Sequence, residues 1–332
     1  MSLDNILPNG NIRSVSDFGA LLRSHRLKQG ITQADLAALS GVGIRFISDL
    51  ENGKPTIALG KALQVEAWRL MADLDVYLHG RRVGHLQLDA NRRFVFQYDD
   101  AWLAAETELP LSLALPLRSE PYPDDEARPF FANLLPEANI RRAITNRLGI
   151  SEENDFALLE AIGGECAGAV TVLPGGLKLP VTGEYRSLAD EALTDLVDSL
   201  PDRPFLVGEE GVRLSLAGAQ NKLPVYLDGD RICLPLGAYP SSHILKPNIH
   251  GYEGTVINEA FCMRLAAHMG LPVPKVEIQF VDHLRIYIIE RYDREVSQSG
   301  NLDRIHQEDF CQALGVPPGA KYEKEGGPGL AQ

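Results

Sequence analysis

The sequence lacks several features that would assign it to a class at once. It has no run of about 18 apolar residues, so we expect no membrane-spanning helix. Its first residues lack a basic stretch followed by an apolar core, so we expect no secretory signal. The eight histidines show no H-E-x-x-H or similar spacing, and we therefore predict no metal site.

Cysteine is scarce and widely spaced. The four cysteines are Cys166, Cys233, Cys262 and Cys311, and no two form a C-x-x-C pair. This spacing argues against a zinc site and a disulfide framework, and it is typical of a reducing compartment. A hydrophobic content of 45% is ordinary for a globular protein. We expect a cytoplasmic protein of two or three domains.

Basic residues are outnumbered, but unevenly along the chain. The net charge is −13, which argues against binding to nucleic acid. Residues 11–70 nevertheless carry eight Lys and Arg against five Asp and Glu, whereas residues 71–332 carry 24 against 39. A mildly basic segment followed by an acidic body indicates two functions rather than one.

Three short helical patterns separated by glycine occupy the basic segment. Ser16 or Asp17 can cap the first, the second covers residues 33–39, and the third covers residues 43–51. Two short helices joined by a glycine turn are typical of a helix-turn-helix, whose second helix enters the DNA major groove. A plain helical bundle is the alternative.

The ends of these helices predict DNA contacts. The first residues of the third helix would face base edges, and only Arg45 has the planar fork that reads guanine. Polar side chains near the helix ends would hold phosphates. The predicted base-facing residues are Gly43, Ile44, Arg45 and Phe46, and the predicted phosphate-binding residues are Gln33, Asn52 and Lys54.

The spacing I-T-Q-x-x-L-A-x-x-S-G-V, followed by I-S-x-x-E-N-G-K, resembles the Cro/repressor (XRE) family of DNA-binding domains over residues 16–66. That family usually has polar residues where this chain has Gly43, Ile44 and Phe46. Arg45 is thus left as the main base-reading side chain that the resemblance implies.

A run of small residues between Ser215 and Lys222 is the most informative part of the acidic body. A strand is predicted to follow at residues 223–227, with a hairpin turn at residues 228–230. A loop of small residues lets backbone N–H groups approach a polyanion, and a lysine adds a point charge. The run therefore favours a phosphate-binding loop, with an ordinary tight turn as the alternative.

The segments after this loop follow the order found in the small lobe of a protein kinase. Lys246 ends an apolar strand and needs an anion, which could be a carboxylate such as Glu259 or a nucleotide phosphate. A helix is predicted to start at Asn258, and two strands follow, ending with residues 286–294. Phosphate loop, lysine strand, acidic helix and hinge are the successive parts of that lobe.

Residues 71–332 resemble the HipA family of bacterial serine/threonine kinases, and residues 16–66 resemble its antitoxin partner HipB. Several unrelated motifs carry the HipA resemblance in order: F-x-N-L-L-P-E at 131–137, S-L-A-G-A-Q-N-K at 215–222, H-I-L-K-P at 243–247, N-E at 258–259, E-R-Y-D-R at 290–294, H-Q-E-D at 306–309, and K-Y at 321–322 followed by G-G-P-G at 326–329. The chain therefore resembles a HipB–HipA fusion.

The resemblance implies an α+β protein. Its parts would be an all-α helix-turn-helix domain (residues 11–70), a HipA-type N-terminal subdomain (residues 71–175), and a kinase small lobe with the beginning of the large lobe (residues 176–332). The resemblance also implies ATP as cofactor. The residues implied to bind it are Ala217, Gly218, Ala219, Gln220, Asn221, Lys222, Lys246, Glu290, Arg291 and Tyr292, the last three at the adenine.

Ser215 matches the serine that the family autophosphorylates, with an unmodified loop hydroxyl as the alternative. The family's D-x-H-x-K-N-type catalytic loop and its magnesium-binding aspartate do not occur in these 332 residues. We therefore expect no catalytic or metal-binding residue here and no phosphate transfer by this chain alone, as for a truncated kinase. Asp309 is expected in a structural helix.

The leading hypothesis is a HipA-like serine/threonine kinase of a type II toxin–antitoxin system, fused to a DNA-binding antitoxin-like domain. The alternative is a non-enzymatic DNA-binding transcriptional regulator or autorepressor, and a decoy that binds a full-length kinase is a third option. The expected partners are operator DNA, a protein substrate such as a tRNA synthetase by family resemblance, and a second copy in a homodimer, without a membrane.

Overall fold

The chain divides into two compact units. One runs up to Asp73 and includes Leu86–Val95, and the other contains Leu74–His85 and everything from Phe96 onward. The computed structural model describes residues 14–28, 32–40, 42–54, 73–105, 109–208, 212–249 and 251–329. Within those ranges, no helix is long and apolar enough to cross a membrane. The predicted division into three domains stays a prediction.

Three helices form the N-terminal helix-turn-helix. They are α1 (Val15–Lys28), α2 (Gln33–Ser40) and α3 (Ile44–Glu51). Their apolar side chains meet in one buried cluster of Leu22, Leu36, Ala37, Ile47 and Leu50. Burial of this one face is what stabilises helices too short to persist alone. The predicted all-α N-terminal domain is confirmed for the described residues.

The start of α1 differs by one or two residues from the prediction. Ser16 or Asp17 was predicted as the cap, but the helix begins at Val15. The Ser14 hydroxyl accepts the N–H of Asp17 at 3.1 Å. Ser14 therefore caps the helix, and the Asp17 carboxylate lies in the first turn, where the helix dipole favours negative charge.

A buried ion pair joins the three helices. The Arg26 guanidinium donates to both oxygens of Glu51, at 2.5 and 2.9 Å, and the Gln33 amide donates to Glu51 at 2.7 Å. Burial alone would raise the pKa of Glu51, but these hydrogen bonds outweigh it and the pKa is lowered. Glu51 thus stays ionised at the centre of the domain.

A four-stranded sheet opens the acidic body, with strand order β3-β2-β1-β4. Its strands are β1 (Asp73–Leu78), β2 (Arg81–Leu88), β3 (Phe94–Tyr98) and β4 (Val170–Pro174), and the intervening helices are α4 (Asp100–Leu103), α5 (Asp124–Ala132), α6 (Ala138–Leu148) and α7 (Asp155–Ile162). Side chains of β3 alternate between buried and half-buried, as expected for a strand that covers a core on one face.

Aromatic side chains dominate this core. The rings of Phe96 and Tyr98 lie 4.9 Å apart, edge to face, and those of Phe130 and Phe131 lie 5.2 Å apart, nearly perpendicular. Edge-to-face pairs are favoured by the ring quadrupole. The buried Tyr98 hydroxyl donates to the Leu115 carbonyl, so the polar end of the ring is satisfied.

A six-stranded sheet forms the rest of the body, in the order β5-β7-β6-β8-β10-β9. Its strands are β5 (Gly183–Ser187), β6 (Leu223–Asp228), β7 (Arg231–Gly237), β8 (His243–Pro247), β9 (Val276–Val281) and β10 (Leu284–Glu290), with helices α8 (Asp190–Ser199) and α9 (Thr255–His268) between them. The predicted strand after the phosphate loop is β6. The predicted lysine strand is β8, so the predicted α+β fold is confirmed.

Helix α9 begins earlier than predicted. The prediction used Asn258 as the first residue, whereas the helix starts at Thr255, after Gly254 in the left-handed conformation. The Asn248 side chain accepts the N–H of Val256 at 3.2 Å. The cap comes from eight positions back in the chain, which a local sequence pattern does not reveal.

Strand β10 ends sooner than predicted. A single strand was predicted through Arg294, but β10 stops at Glu290 and a separate hairpin follows, made of β11 (Arg294–Val296) and β12 (Leu302–Arg304). The chain leaves the sheet because the side chains of Arg291 and Arg294 are drawn into a buried ionic network. A four-residue helix, α10 (Phe310–Ala313), lies beyond the hairpin.

Candidate functional site

The predicted phosphate loop is anchored at its serine. Ser215 is fully buried, and its hydroxyl donates to the Leu134 carbonyl at 2.8 Å. Further along the loop, the Glu137 N–H donates to the Gly218 carbonyl at 3.3 Å. The segment 131–137, which carried part of the HipA resemblance, therefore holds the loop from one side.

The loop turns at Gly218 and closes on Lys222. Gly218 has φ +105°, a conformation that side chains with a Cβ rarely adopt. A Cβ there would also lie 2.9 Å from the Lys222 ammonium. Lys222 donates to the Ala217 carbonyl, so the lysine folds back across its own loop.

Burial and, after it, the positive charge of Lys246 together lower the pKa of Lys222 to about 8. Desolvation and the nearby cation outweigh the attraction of the Glu137 and Glu259 carboxylates, so the ammonium is incompletely compensated. The electrostatics of the loop therefore favour a negatively charged ligand.

Lys246 and Glu259 form the predicted ion pair. Lys246 lies on β8 and Glu259 on α9, and the ammonium donates to the carboxylate. Tyr287 of β10 lies directly across from Lys246 in the sheet, and the lysine ammonium is 5.5 Å from the centroid of its ring. The expectation that Glu259 is the partner of Lys246 is confirmed.

A third lysine near the phosphate loop, Lys321, belongs to the K-Y motif at residues 321–322. Lys321 lies 3.0 Å from the Glu137 carboxylate and 3.7 Å from that of Asp309. Asp309 itself caps α10 through the N–H of Gln312 in a reciprocal capping box. Three motifs far apart in the sequence thus meet beside the phosphate loop, and Asp309 has the structural role expected of it.

The two amides of the loop differ in their contacts. Gln220 donates to the Pro247 carbonyl at 3.4 Å, which links the loop to the end of β8. The side-chain oxygen of Asn221 is buried and has no hydrogen-bond partner within the described part of the chain. A buried polar atom of this kind is costly unless a ligand or water satisfies it.

The predicted adenine-binding segment follows β10. The N–H of Glu290 donates to the Lys275 carbonyl at 3.0 Å, and the N–H of Arg291 donates to the Ser242 carbonyl at 2.9 Å. Tyr292 is 70% exposed. The Arg291 side chain is buried and bonded to acidic groups, so it is not available to adenine, and only its backbone carbonyl could serve that role.

A buried ionic network lies behind this segment. Arg291 donates to both oxygens of Asp293, at 2.8 and 2.6 Å, and Arg294 donates to Glu165 at 2.7 Å. Burial alone would raise the pKa of Asp293, but the hydrogen bond and charge of Arg291 outweigh it and lower the pKa to about 2. Both acids stay ionised among the arginines.

Three members of this network, Glu165, Ser241 and Arg304, belong to none of the sequence motifs described above. Arg304 donates to four groups in the segment 166–171, including the Cys166 and Val170 carbonyls. No spacing in the sequence points to them, since their partners lie far away along the chain.

The predicted DNA-binding residues lie at the two ends of α3, apart from Gln33, which is the first residue of α2. Gly43 and Arg45 are exposed and Ile44 is 54% exposed, whereas Phe46 packs partly against the helix-turn-helix core. The predicted phosphate-binding side chains already have protein partners: Gln33 donates to Glu51, Asn52 to the Ser48 carbonyl and Lys54 to Asp49. Their roles toward DNA stay predictions.

No group of three His, Cys, Asp or Glu side chains within the described ranges could hold a metal ion.

Three family models match successive parts of the chain. The helix-turn-helix model matches residues 22–67, the HipA N-terminal domain matches residues 74–173, and the HipA-like C-terminal domain matches residues 214–332. The last of these contains the phosphate loop, the lysine strand and the hinge segment. The two HipA models together cover most strands of the two larger sheets, and β5 lies between the matched ranges.

Different curated relatives match the larger and the smaller part of the chain. The kinase-named protein Y4mE of Sinorhizobium fredii is 47% identical over 260 residues, which cover 77% of this chain and 62% of that protein. The HTH-type transcriptional regulator y4mF of the same organism is 46% identical over 71 residues, covering 21% of this chain and 92% of the regulator. Two proteins of one organism thus correspond to two parts of this chain.

A further curated relative and a solved structure also match this chain. The serine/threonine-protein kinase toxin HipA of Shewanella oneidensis is 33% identical over 258 residues, covering 77% of this chain and 58% of that protein. A structure described as the HipA, HipB and operator DNA complex of that organism matches with a TM-score of 0.64 and 33% identity, covering 78% of this chain and 60% of that one. The chain spans about 60% of the length of these kinase relatives, and it belongs to the HipA family, with a helix-turn-helix domain ahead of its HipA domains.

Proposed function

We propose that the phosphate loop, the Lys246–Glu259 pair and the segment 290–292 form a nucleotide site that binds ATP. The observation that carries this proposal is the ion pair between β8 and α9, set beside a glycine-containing loop. A lysine held by a helix glutamate is the arrangement that kinases use to orient nucleotide phosphates. The buried, unpartnered oxygen of Asn221 and the desolvated ammonium of Lys222 support a polar ligand at the same place.

Isothermal titration calorimetry with ATP tests this site. We expect Lys246→Met to weaken ATP binding at least tenfold, because a charge-assisted hydrogen bond contributes about 1.5–3 kcal/mol. Lys178→Met, which removes an exposed lysine from the same unit, is the matched control and should bind like the parent chain. Equal affinities for the parent and Lys246→Met would contradict the assignment.

Phosphate transfer is a separate step. These 332 residues contain no D-x-H-x-K-N-type loop, so we propose that they bind the nucleotide but do not transfer its phosphate alone. Incubation with γ-labelled ATP should leave Ser215 unlabelled, and robust labelling would contradict this. A protein substrate such as a tRNA synthetase, and a homodimer, stay predictions from the family.

We also propose that the helix-turn-helix binds operator DNA. The exposed Arg45 at the start of α3 supports this, as does the likeness to a HipA and HipB complex with its operator. A mobility-shift assay on the upstream DNA of this gene should show a complex that Arg45→Ala weakens. The control is Arg231→Ala, an exposed arginine in the β6–β7 hairpin, which changes the net charge equally. Absence of any shift at low salt would count against DNA binding.

A further inference from the structure

One residue of the HipA N-terminal domain touches both halves of the proposed nucleotide site. Glu165 lies between α7 and β4 and is 9% exposed. Its backbone pairs with the start of the phosphate loop, and its carboxylate accepts hydrogen bonds from the segments that flank β8 and β10. Glu165 is not among the predicted site residues.

The backbone of Glu165 fixes the loop. Its N–H donates to the Arg213 carbonyl at 2.7 Å, and its carbonyl accepts the N–H of Ser215 at 3.0 Å. These two hydrogen bonds form an isolated parallel bridge between Glu165 and Leu214. The loop therefore enters the site in a position set by Glu165.

The carboxylate of the same residue fixes the other half. One oxygen, Oε1, accepts from the backbone N–H and the hydroxyl of Ser241, at 3.2 and 2.7 Å. It also accepts from Arg294 at 2.7 Å and from Arg291 at 3.3 Å. Ser241 precedes the lysine strand β8, and the two arginines follow β10.

The negative charge of Glu165 is needed to compensate buried arginines. Glu165 and Asp293 are the acids that form ion pairs with the two buried arginines Arg291 and Arg294. Neutralising Glu165 leaves the Asp293 carboxylate as the remaining described ion-pair partner of both Arg291 and Arg294, and this excess of positive charge is unfavourable in a buried site. The two segments that contain Ser241 and Arg291 are thus expected to become more mobile when the charge of Glu165 is lost.

We propose that Glu165 is a positioning residue that couples the phosphate loop to the hinge segment, so that both halves of the site form and open together. The side chain of Glu165 has three rotatable bonds, but hydrogen bonds hold its carboxylate on the hinge side and its peptide group on the loop side. A displacement at one end therefore strains the contacts at the other. The effect on nucleotide binding rests on the site proposed above, whereas the coupling itself does not require a nucleotide.

Amide hydrogen exchange of the full chain without nucleotide tests the coupling. Glu165→Gln changes only the side chain, which contacts the hinge side. Loss of a charge-assisted bond should speed exchange about tenfold or more in residues 241–242 and 290–294. The decisive expectation is an equal increase in residues 213–217, which the altered side chain does not contact in the described structure.

Asp155→Asn is the matched control. Asp155 also accepts from two arginines, Arg128 and Arg141, at 2.8 and 2.5 Å, but its described contacts include neither the loop nor the hinge. Its loss should leave exchange at both segments unchanged. If Glu165→Gln fails to fold, Ser241→Ala removes the hydroxyl that donates to Oε1 and should give the same paired increase with a smaller size.

Faster exchange at 241–242 and 290–294 with an unchanged loop would overturn the coupling, as would an equal effect of Asp155→Asn. ATP titration of the same variants separates the two proposals. A parent chain that fails to bind ATP contradicts the nucleotide site and leaves the exchange result standing. A parent that binds ATP, together with a Glu165→Gln variant that binds equally well, contradicts the functional consequence of the coupling.

Discussion

At the scale of single residues, the ionisation of Lys222 should make both stability and nucleotide binding depend on pH. Its pKa is lowered from 10.5 to about 8, first by burial and then by the charge of Lys246. Between those two pH values the unfolded chain binds more protons than the folded one. This group therefore makes the free energy of unfolding of the ligand-free protein rise with pH in that window.

Nucleotide binding should show the opposite dependence on pH. A triphosphate favours the charged form of Lys222, so binding should take up a proton at about pH 8 to 9 and weaken as the pH rises. Calorimetry in two buffers with different ionisation enthalpies measures that uptake. Lys222→Met should abolish it. Equal proton uptake in the parent and in Lys222→Met would show that another group titrates.

Ser215 provides a second prediction at this scale. Ser215→Ala leaves the Leu134 carbonyl without its donor in a buried place, which should lower the free energy of unfolding by about 1–3 kcal/mol. Ser215→Asp instead places a negative charge in a fully buried position and should release the loop. Urea denaturation measures the first effect, and proteolysis between residues 212 and 222 measures the second. A protease-resistant loop in Ser215→Asp would contradict the prediction.

At the scale of elements, the packing of α1 against α3 depends on a glycine. A Cβ on Gly19 would lie 2.0 Å from the Leu50 carbonyl oxygen, a distance that forces the two helices apart. Gly19→Ala should therefore unfold the helix-turn-helix and abolish the DNA shift, while leaving ATP binding intact. For Gly43, at the start of α3, a Cβ meets nothing within 4 Å.

Gly43→Ala is therefore the matched control for folding. Circular dichroism should show loss of helix for Gly19→Ala but not for Gly43→Ala. A Gly19→Ala protein with parental helix content would indicate that the two helices can separate at little cost. The comparison is made in the full chain, so ATP binding reports separately on the acidic body.

At the scale of the whole molecule, buried carboxylates make stability depend on acid. Glu51, Glu165 and Asp293 all have lowered pKa values, because hydrogen bonds or nearby arginines outweigh the burial that would raise them. Their contribution is present above the unfolded pKa values of about 4 and is lost as the pH falls through the folded values. For Asp293 that value is about 2.

We therefore expect the second unit to lose stability progressively between about pH 4.5 and pH 2. Trp102 is buried in that unit, so its fluorescence in a Trp68→Phe background reports urea unfolding there. Asp293→Asn should be less stable at pH 7 and show a shallower dependence on pH. A parental chain whose urea midpoint is unchanged from pH 5 to pH 2 would contradict the role of these acids.

Local patterns in the sequence by themselves determined the helix-turn-helix, several strands of the larger sheet and one ion pair of the proposed site. Glycine turns and 3.6-residue periodicity predicted the helix-turn-helix. The order of small-residue loop, lysine strand and acidic helix predicted strands β6, β8, β9 and β10 of the six-stranded sheet and the partner of Lys246. These features could be predicted because each is encoded within a few neighbouring residues, where spacing alone places side chains on one face.

Tertiary structure alone decided how the predicted parts are held. The Glu165 carboxylate and Arg291 are 126 positions apart, and Glu165 and Ser241 are 76 positions apart, so no spacing pattern connects them. The cap of α9 by Asn248 and the early end of β10 arise in the same way. The partners of a buried charge are determined by distances and desolvation in the folded structure, and local sequence patterns do not encode those distances.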